Sequence, residues 1–388
     1  MIDFPLQWLL LGLPVAFALG WVGARLESRQ WKREQRDAPR AYYKGLNLLL
    51  NEQQDKAIDA FIEAVQHDPD TTELHFALGN LFRRRGEFAR AVRVHQHLLQ
   101  RADLATTEHD RAQFALANDY ARAGLLDRAE QAFRSLEGTP FETESRLALL
   151  SLYESARDWR AAADIAVRLE QTGAGSFASR ISHYWCELAL EADARSRTEE
   201  AEAALQRARE IAPQAPRPWL IQMQRGVRAG DHARAYASGV ELSRRSAAVL
   251  LMVTSDFVDS AIKSGQRERA RALLAEIADR EPGVAALRAL DLIDGLAPGT
   301  SPRWLAHLRE RPTLSVALEV LSAPTGTAAA TLDAEPVRAG VRDAVASAAR
   351  PLQRYRCAAC GFEAEHYFWQ CPGCTNWDSI PPRRIEAQ

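Results

Sequence analysis

The stretch from Ala41 to Pro69, AYYKGLNLLLNEQQDKAIDAFIEAVQHDP, places small residues at fixed positions between apolar runs. Its Gly45 and Ala57 return 34 residues later as Gly79 and Ala91. Small residues at such positions let two helices approach closely, because a bulky side chain there would push the pair apart. The stretch therefore predicts a helical hairpin that recurs along the chain.

The alanine position recurs through most of the sequence, at spacings of 34, 38, 33, 39, 34 and 35 residues. We call these residues the anchor alanines; they are Ala57, Ala91, Ala129, Ala162, Ala201, Ala235 and Ala270. A period of 34 residues is typical of the tetratricopeptide repeat, a helix-turn-helix unit. About seven such units are predicted, with an irregular helical bundle as the alternative.

Three further glycines fall in the same frame, namely Gly124, Gly230 and Gly265. Stacked units bury their apolar stripes against one another and curve into a superhelix whose concave face is a groove for a partner protein. The predicted fold class is therefore all-α, a tetratricopeptide-repeat superhelix. No groove residues are assigned, because periodicity identifies core positions only.

Composition and charge indicate an ordered protein and argue against nucleic-acid binding. The chain has 388 residues, of which 47% are hydrophobic and 26% charged, and its formal net charge is −2. Neutralising a phosphate backbone requires a concentrated basic face, which this balance does not favour.

Four of the five cysteines form two pairs of identical spacing near the end of the chain, Cys357 with Cys360 and Cys371 with Cys374. Two residues between thiolates let one tight turn bring both sulfurs to the same ion, and the second pair completes a tetrahedron. Zinc and iron both fit, and a disulfide is the alternative. A tetrahedron filled by four thiolates leaves no position for water, so a structural role is favoured over a redox role. Cys186 lies in an apolar helical pattern and is expected to pack as a small hydrophobe.

The amino-terminal stretch from Phe4 to Val22 carries no charge and is close to the ~20 apolar residues that span a bilayer. Basic residues follow this stretch and none precedes it, which favours a retained anchor over a cleaved signal. By the positive-inside rule, everything after residue 23 is predicted to be cytoplasmic. The alternative is a buried helix of a soluble protein. The basic residues are Arg25, Arg29, Lys32, Arg33 and Arg36.

These patterns divide the chain into five predicted segments. They are a transmembrane anchor at 1–23, a basic juxtamembrane segment at 24–40, the repeats at 41–300, capping helices and a linker at 301–350, and the metal-binding module at 351–388. Two short helices are predicted between Arg303 and Leu321, with Pro302 at a start and Pro312 at a break.

No common catalytic motif is present: the sequence lacks Gly-x-Ser-x-Gly, His-Glu-x-x-His and the phosphate-binding Gly-x4-Gly-Lys-Ser/Thr. The nine histidines are expected at surface or packing positions. Function by protein binding is therefore predicted, without an enzymatic activity, and a redox protein with a four-cysteine iron centre remains an alternative.

The order of parts and the cysteine segments resemble the lipopolysaccharide assembly protein B (LapB) family of Gram-negative inner membranes. The most specific part of the resemblance is the segment from Tyr355 to Cys374, which is similar to the rubredoxin-like metal module of that family. Thr375 departs from rubredoxins proper, which have glycine after this cysteine, and this argues against electron transfer.

The resemblance implies a single-pass protein of the bacterial inner membrane with its repeats and metal module on the cytoplasmic side. It implies an adaptor that brings the deacetylase committing precursors to lipid A (LpxC) to the membrane protease FtsH, and that contacts other lipopolysaccharide assembly proteins. It implies rubredoxin-type iron bound by Cys357, Cys360, Cys371 and Cys374. A general envelope-assembly scaffold is the alternative function.

Overall fold

The structure is a computed structural model that describes residues 21, 43–48, 50, 51, 53–67, 71–323 and 335–387. The predicted anchor and basic juxtamembrane segment lie outside these residues, apart from Trp21. Within the described residues, no helix combines the length and the apolar character needed to cross a bilayer. The chain divides into two compact units, Met1–Ala174 and Gly175–Gln388.

The described part of the first unit is helical, and its successive helices pack against one another. A helical segment occupies 43–48. The helices that follow are α1 Gln54–His67, α2 Thr72–Arg84, α3 Phe88–Leu99, α4 Thr106–Arg122, α5 Leu126–Arg134, α6 Glu142–Ala156 and α7 Trp159–Gln171.

The second unit continues the helical pattern and ends in the cysteine-containing segment. Its helices are α8 Ala178–Ala194, α9 Thr198–Ile211, α10 Arg217–Ala229, α11 His232–Arg245, α12 Ala247–Met252, α13 Thr254–Lys263, α14 Arg267–Arg280, α15 Val284–Asp294, α16 Pro302–Glu310, α17 Leu314–Ser322 and α18 Glu335–Ala349. The strands of the described chain, β1 Tyr355–Arg356 and β2 Glu363–Ala364, form an antiparallel pair.

All seven anchor alanines are fully buried, with 0% of their surface exposed. The close approach of the helices is seen directly at one of them. At the sixth anchor, a Cβ added to Gly226 of α10 would lie 2.9 Å from the backbone nitrogen of Ala235 in α11. The helices of a pair thus touch nearly backbone to backbone at this level. The prediction that these alanines lie where one helix meets its neighbour is confirmed.

The glycines of the repeat frame serve two different purposes. A Cβ on Gly45 would lie 2.9 Å from the Phe61 ring, so Gly45 does lie at a helix contact, as does Gly79. Gly124, Gly230 and Gly265 lie instead in the turns between helices, at φ angles of +76°, +72° and +72°. Their function is to end a helix in the left-handed conformation, which costs glycine little.

A residue in this left-handed conformation lies five positions before each anchor alanine from the second unit of the repeat onward. Glycine occupies four of these six positions: Gly86, Gly124, Gly230 and Gly265. Arg157 and Ser196 occupy the other two, at φ angles of +57° and +60°. A Cβ in this conformation is strained, so the chain keeps the turn geometry at these two sites at some cost in stability.

Replacing Arg157 with glycine should therefore stabilise the protein. The Arg157 side chain is exposed, so its loss should cost little. Glycine relieves the strain of the left-handed backbone, but it also increases the entropy of the unfolded chain. The net effect should raise the free energy of unfolding by up to about 1 kcal/mol. Urea denaturation followed by circular dichroism measures this change.

Arg157→Ala is the matched control, because alanine also removes the guanidinium but retains the Cβ. An equal stabilisation by alanine and glycine would show that the left-handed backbone is not the source of the strain.

A buried polar pair in the first unit was not predicted from the sequence. His95 Nδ1 of α3 lies 2.5 Å from Asp119 Oδ2 of α4, and both side chains are fully buried. Arg83 of α2 donates from Nη1 to Asp119 Oδ1 at 2.8 Å. Three successive helices therefore share one carboxylate, which fixes their relative register in addition to apolar packing.

Candidate metal centre and its contact with the helical repeats

The first cysteine pair lies in a tight turn that follows β1. The backbone N–H of Cys357 donates to the carbonyl of Phe362 at 2.9 Å, and the N–H of Gly361 donates to the carbonyl of Cys357 at 2.9 Å. Gly361 has a φ of +75°, so the turn closes with a left-handed residue directly after Cys360.

The second pair repeats the geometry of the first. The N–H of Cys371 donates to the carbonyl of Asn376 at 2.9 Å, and the N–H of Thr375 donates to the carbonyl of Cys371 at 2.8 Å. Thr375 takes the left-handed position that Gly361 holds in the first turn, at a φ of +57°. A β-branched residue is strained there. The second turn therefore keeps the geometry of the first, although threonine takes the place of glycine at this position.

The four sulfurs lie within 4.8 Å of one another. Cys357 Sγ is 3.8 Å from Cys374 Sγ, and Cys360 Sγ is 3.8 Å from Cys371 Sγ. Thiolates about 2.3 Å from a common ion would be about 3.8 Å apart at the corners of a tetrahedron. A disulfide would require about 2.05 Å, and all four cysteines are free. The four side chains therefore cluster as one tetrahedral ion requires, and soft thiolate donors suit both zinc and iron.

Ser379 contributes a hydroxyl to the sulfur cluster. Its Oγ lies 3.4 Å from Cys357 Sγ and 3.0 Å from the carbonyl oxygen of Asn376. The Ser379 hydroxyl, together with the backbone N–H groups of Cys360 and Ala359, lowers the pKa of the Cys357 thiol to about 6. While Cys357 keeps its proton, the thiol donates to Ser379 Oγ and the hydroxyl donates to the Asn376 carbonyl. Once the proton is lost, the hydroxyl can turn and donate to the thiolate, which favours the deprotonated form that binds a metal.

The metal module packs against α8 through two tryptophans and a carboxylate. The His183 ring of α8 stacks on the Trp377 ring, with centroids 4.7 Å apart and an interplanar angle of 17°. His183 Nε2 lies 2.8 Å from Asp378 Oδ1, and Ser179 Oγ donates to Asp378 Oδ2 at 2.6 Å. Residues 195 positions apart in the sequence are thereby joined by one carboxylate.

Arg217 of α10 completes this contact. Its guanidinium carbon lies 5.6 Å from the Trp377 centroid and 5.8 Å from the Trp369 centroid, within cation–π range. Its Nη2 donates to Glu187 Oε1 at 2.5 Å, and its Nη1 lies 3.4 Å from His183 Nδ1. The Arg217 side chain is almost fully buried, so its charge is balanced within the contact.

The electrostatics assign one tautomer to His183. Burial lowers the pKa of His183 below its ordinary value, so the ring is neutral at pH 7. A neutral ring with its proton on Nε2 donates to Asp378 and accepts from Arg217 at Nδ1, which satisfies both neighbours. Burial alone would raise the pKa of Asp378, but the hydrogen bonds from His183 and Ser179 outweigh burial and hold that pKa below its usual range.

The chain after the module makes two further contacts with the helical part of the second unit. Arg383 Nη2 lies 2.9 Å from Glu281 Oε2. The backbone N–H of Ser315, at the start of α17, donates to Glu386 Oε1 at 3.2 Å.

The contact of Trp369 and Trp377 with the repeats was not predicted from the sequence, and neither was the pairing of His183 with Asp378. A histidine in an otherwise apolar helix, three residues before Cys186, was the only available signal. Cys186 itself is buried, and burial raises the pKa of its thiol to about 12, which confirms its predicted packing role.

Removing the Asp378 carboxylate should loosen the module from the repeats. Asp378→Ala leaves the buried His183 Nε2–H without its acceptor, and hydrogen bonds to charged groups contribute about 2 kcal/mol. Hydrogen exchange of the amides in 355–382 should therefore become faster, while the amides of α3 and α4 keep their rates.

Asp343→Ala is the control, since Asp343 is an exposed carboxylate of α18. Unchanged exchange in the Asp378→Ala protein would mean that this carboxylate does not hold the module.

Comparisons with known proteins agree with the resemblance. Residues 355–382 match the model of a rubredoxin metal binding domain of the LapB type. Lipopolysaccharide assembly protein B of Escherichia coli (strain K12) is 31% identical over 397 aligned residues, which cover 98% of each chain. The Haemophilus influenzae protein of the same name is 26% identical and covers 97% of this chain and 98% of its own.

Among solved structures, a tetratricopeptide repeat protein from Parabacteroides merdae aligns with a TM-score of 0.34 and 16% identity, over 67% of this chain and 99% of that one. The identity to the Escherichia coli protein extends over nearly the whole of both chains, and it includes the four-cysteine module. The chain belongs to the lipopolysaccharide assembly protein B family.

Proposed function

We propose that this protein takes part in lipopolysaccharide assembly as an adaptor that binds other proteins. The observation that carries the proposal is the 31% identity to lipopolysaccharide assembly protein B over 98% of both chains. The paired helices offer surfaces for binding a partner protein. The four clustered thiolates would fill the coordination of a bound ion, which suits a non-enzymatic role.

The proposed partners are the membrane protease FtsH and the lipid A-committing deacetylase LpxC, with other lipopolysaccharide assembly proteins as further contacts. The proposed location is the inner membrane, with the stretch from Phe4 to Val22 as a single-pass anchor and the repeats on the cytoplasmic side. An anchored adaptor raises the local concentration of a weakly held client beside a membrane protease, so modest affinity suffices for delivery.

We further propose that Cys357, Cys360, Cys371 and Cys374 bind one metal ion, with iron implied by the family and zinc equally compatible with the thiolate set. The sulfur separations of 3.8 Å support this assignment. Four thiolates leave no open coordination position, so the ion would stabilise the module and would not activate water. The two cysteine turns and the Ser379 hydroxyl are the parts of this chain that would hold and screen the thiolates.

Ser379→Ala should make the metal easier to remove with acid. The hydroxyl lowers the pKa of Cys357, so its loss should raise that pKa, and protons should then displace the metal at a higher pH. The midpoint of metal release, followed by absorbance of a chromogenic chelator, should move upward by about half a pH unit.

Ser379→Thr retains a hydroxyl and should keep the original midpoint. A Ser379→Ala midpoint equal to that of the unsubstituted protein would show that this hydroxyl does not act on the thiolate.

The adaptor function is tested by crosslinking in intact membranes followed by affinity capture of the full-length protein. FtsH and LpxC should be recovered together. A variant limited to 24–388 should still capture LpxC but should lose FtsH, because the proposed anchor provides the shared location.

Recovery of other envelope proteins without FtsH and LpxC would contradict the adaptor proposal and favour a general scaffold. Recovery of electron-transfer proteins alone would favour a redox role.

A further inference from the structure

An arginine-lined cleft lies in the second unit, where the junction of α11 and α12, the end of α14 and the chain after the metal module come together. Its volume is about 360 Å³. Cavities from about 300 Å³ upward are typical of small-molecule sites.

Four arginines line this cleft, and Glu281 is the carboxylate among its lining residues. The arginines come from three separate parts of the chain: Arg244 and Arg245 from the end of α11, Arg280 from the end of α14, and Arg383 from the carboxy-terminal segment. Because the whole chain has a net charge of −2, this local excess of positive charge is not a consequence of composition.

Arg245 is held in place before any ligand arrives. Its Nε donates to the carbonyl of Pro213 at 3.0 Å, and its Nη1 donates to the carbonyl of Glu241 at 2.7 Å. Its guanidinium carbon lies 4.6 Å from the Trp219 ring centroid, and the side chain is 18% exposed. A guanidinium fixed from one side loses little entropy when an anion binds its remaining edge.

All four arginines are oriented by carboxylates, and for Arg245 the partner is Glu241, whose Oε2 accepts from Arg245 Nη1 at 2.6 Å. Arg244 pairs with Glu241, and Arg280 Nη2 lies 3.4 Å from Glu276. Neither Glu241 nor Glu276 is among the lining residues, so both bind their arginines from outside the cleft. Arg383 pairs across the cleft wall with Glu281, which brings the carboxy-terminal segment to the repeats.

We propose that this cleft binds a small phosphate-bearing molecule. Guanidinium groups that line one cleft from three chain segments suit a tetrahedral oxyanion, which presents acceptor oxygens in several directions. A planar carboxylate is satisfied by one or two such groups. A bound phosphate would contact both the repeats and Arg383. The ligand would thus bridge the helical part of the unit and the segment that follows the metal module.

The test is isothermal titration calorimetry of the full-length, metal-containing protein with inorganic pyrophosphate at constant ionic strength. Saturable binding at one site per chain is expected. Arg245→Gln and Arg383→Gln should each weaken the affinity by about tenfold, which is the loss expected for one charge-assisted contact.

Arg207→Gln is the matched control, since Arg207 is an exposed, ion-paired arginine of α9 that does not line the cleft. The control should leave the affinity unchanged. Absence of saturable binding, equal losses in the control, or affinity that survives both cleft substitutions would overturn the proposal. Citrate binding as tightly as pyrophosphate at equal ionic strength would overturn the choice of phosphate over carboxylate.

Two competitors identify the source of the phosphate. Glycerol 3-phosphate displaces pyrophosphate if a free phosphate ester suffices. A soluble short-chain phosphatidic acid that competes where glycerol 3-phosphate does not would identify a lipid headgroup. Displacement by either supports the phosphate site, and displacement by neither would limit it to inorganic anions and contradict a bound phosphate ester.

Discussion

The close approach of two helices at an alanine is the constraint on which each repeat unit depends. Every anchor alanine is completely buried, and at Ala235 the backbone of the helix lies 2.9 Å from the place a Cβ on Gly226 would take. Interiors packed at this density respond to the addition of even one methylene group. Because the constraint acts on the identity of a single residue, it leaves a visible trace in the sequence, and this trace made the repeats predictable.

The turn residues show where such a trace becomes ambiguous. A glycine can permit close packing or a left-handed backbone, and the residue type alone does not distinguish the two uses. Gly79, twelve residues before its anchor alanine, serves the first purpose, and Gly124, five residues before its anchor, serves the second. Arg157 and Ser196 adopt the left-handed turn without being glycine, so composition alone conceals them. The geometry of the repeat imposes the conformation there, and the local preference of the residue yields to it.

The metal centre was predictable for a different reason from its contact with the repeats. Two cysteines separated by two residues form a local geometry, so the spacing alone assigns all four residues to one cluster. The contact between His183 and Asp378 spans 195 positions, and no periodicity or spacing connects the two residues. Its partners are individually unremarkable polar residues, and burial next to two tryptophans is what gives them their importance.

Two adjacent residues that follow the second cysteine turn, Asp378 and Ser379, connect the sulfur cluster with the contact to the repeats. Asp378 accepts hydrogen bonds from α8, while its neighbour Ser379 lies against Cys357 Sγ and accepts the backbone N–H of Ala358 at its carbonyl. Asp378 is itself held at a φ of +53°, and its N–H donates to the carbonyl of Trp369 at 2.9 Å. Under the proposed metal ligation, the energy that folds the cysteine turns also fixes the backbone that aims the Asp378 carboxylate at His183. Linkage is reciprocal, so packing of the module on α8 would in turn raise its affinity for the metal. A small module thus gains order from its sulfur cluster and from the repeats that it contacts, in addition to its own small apolar core.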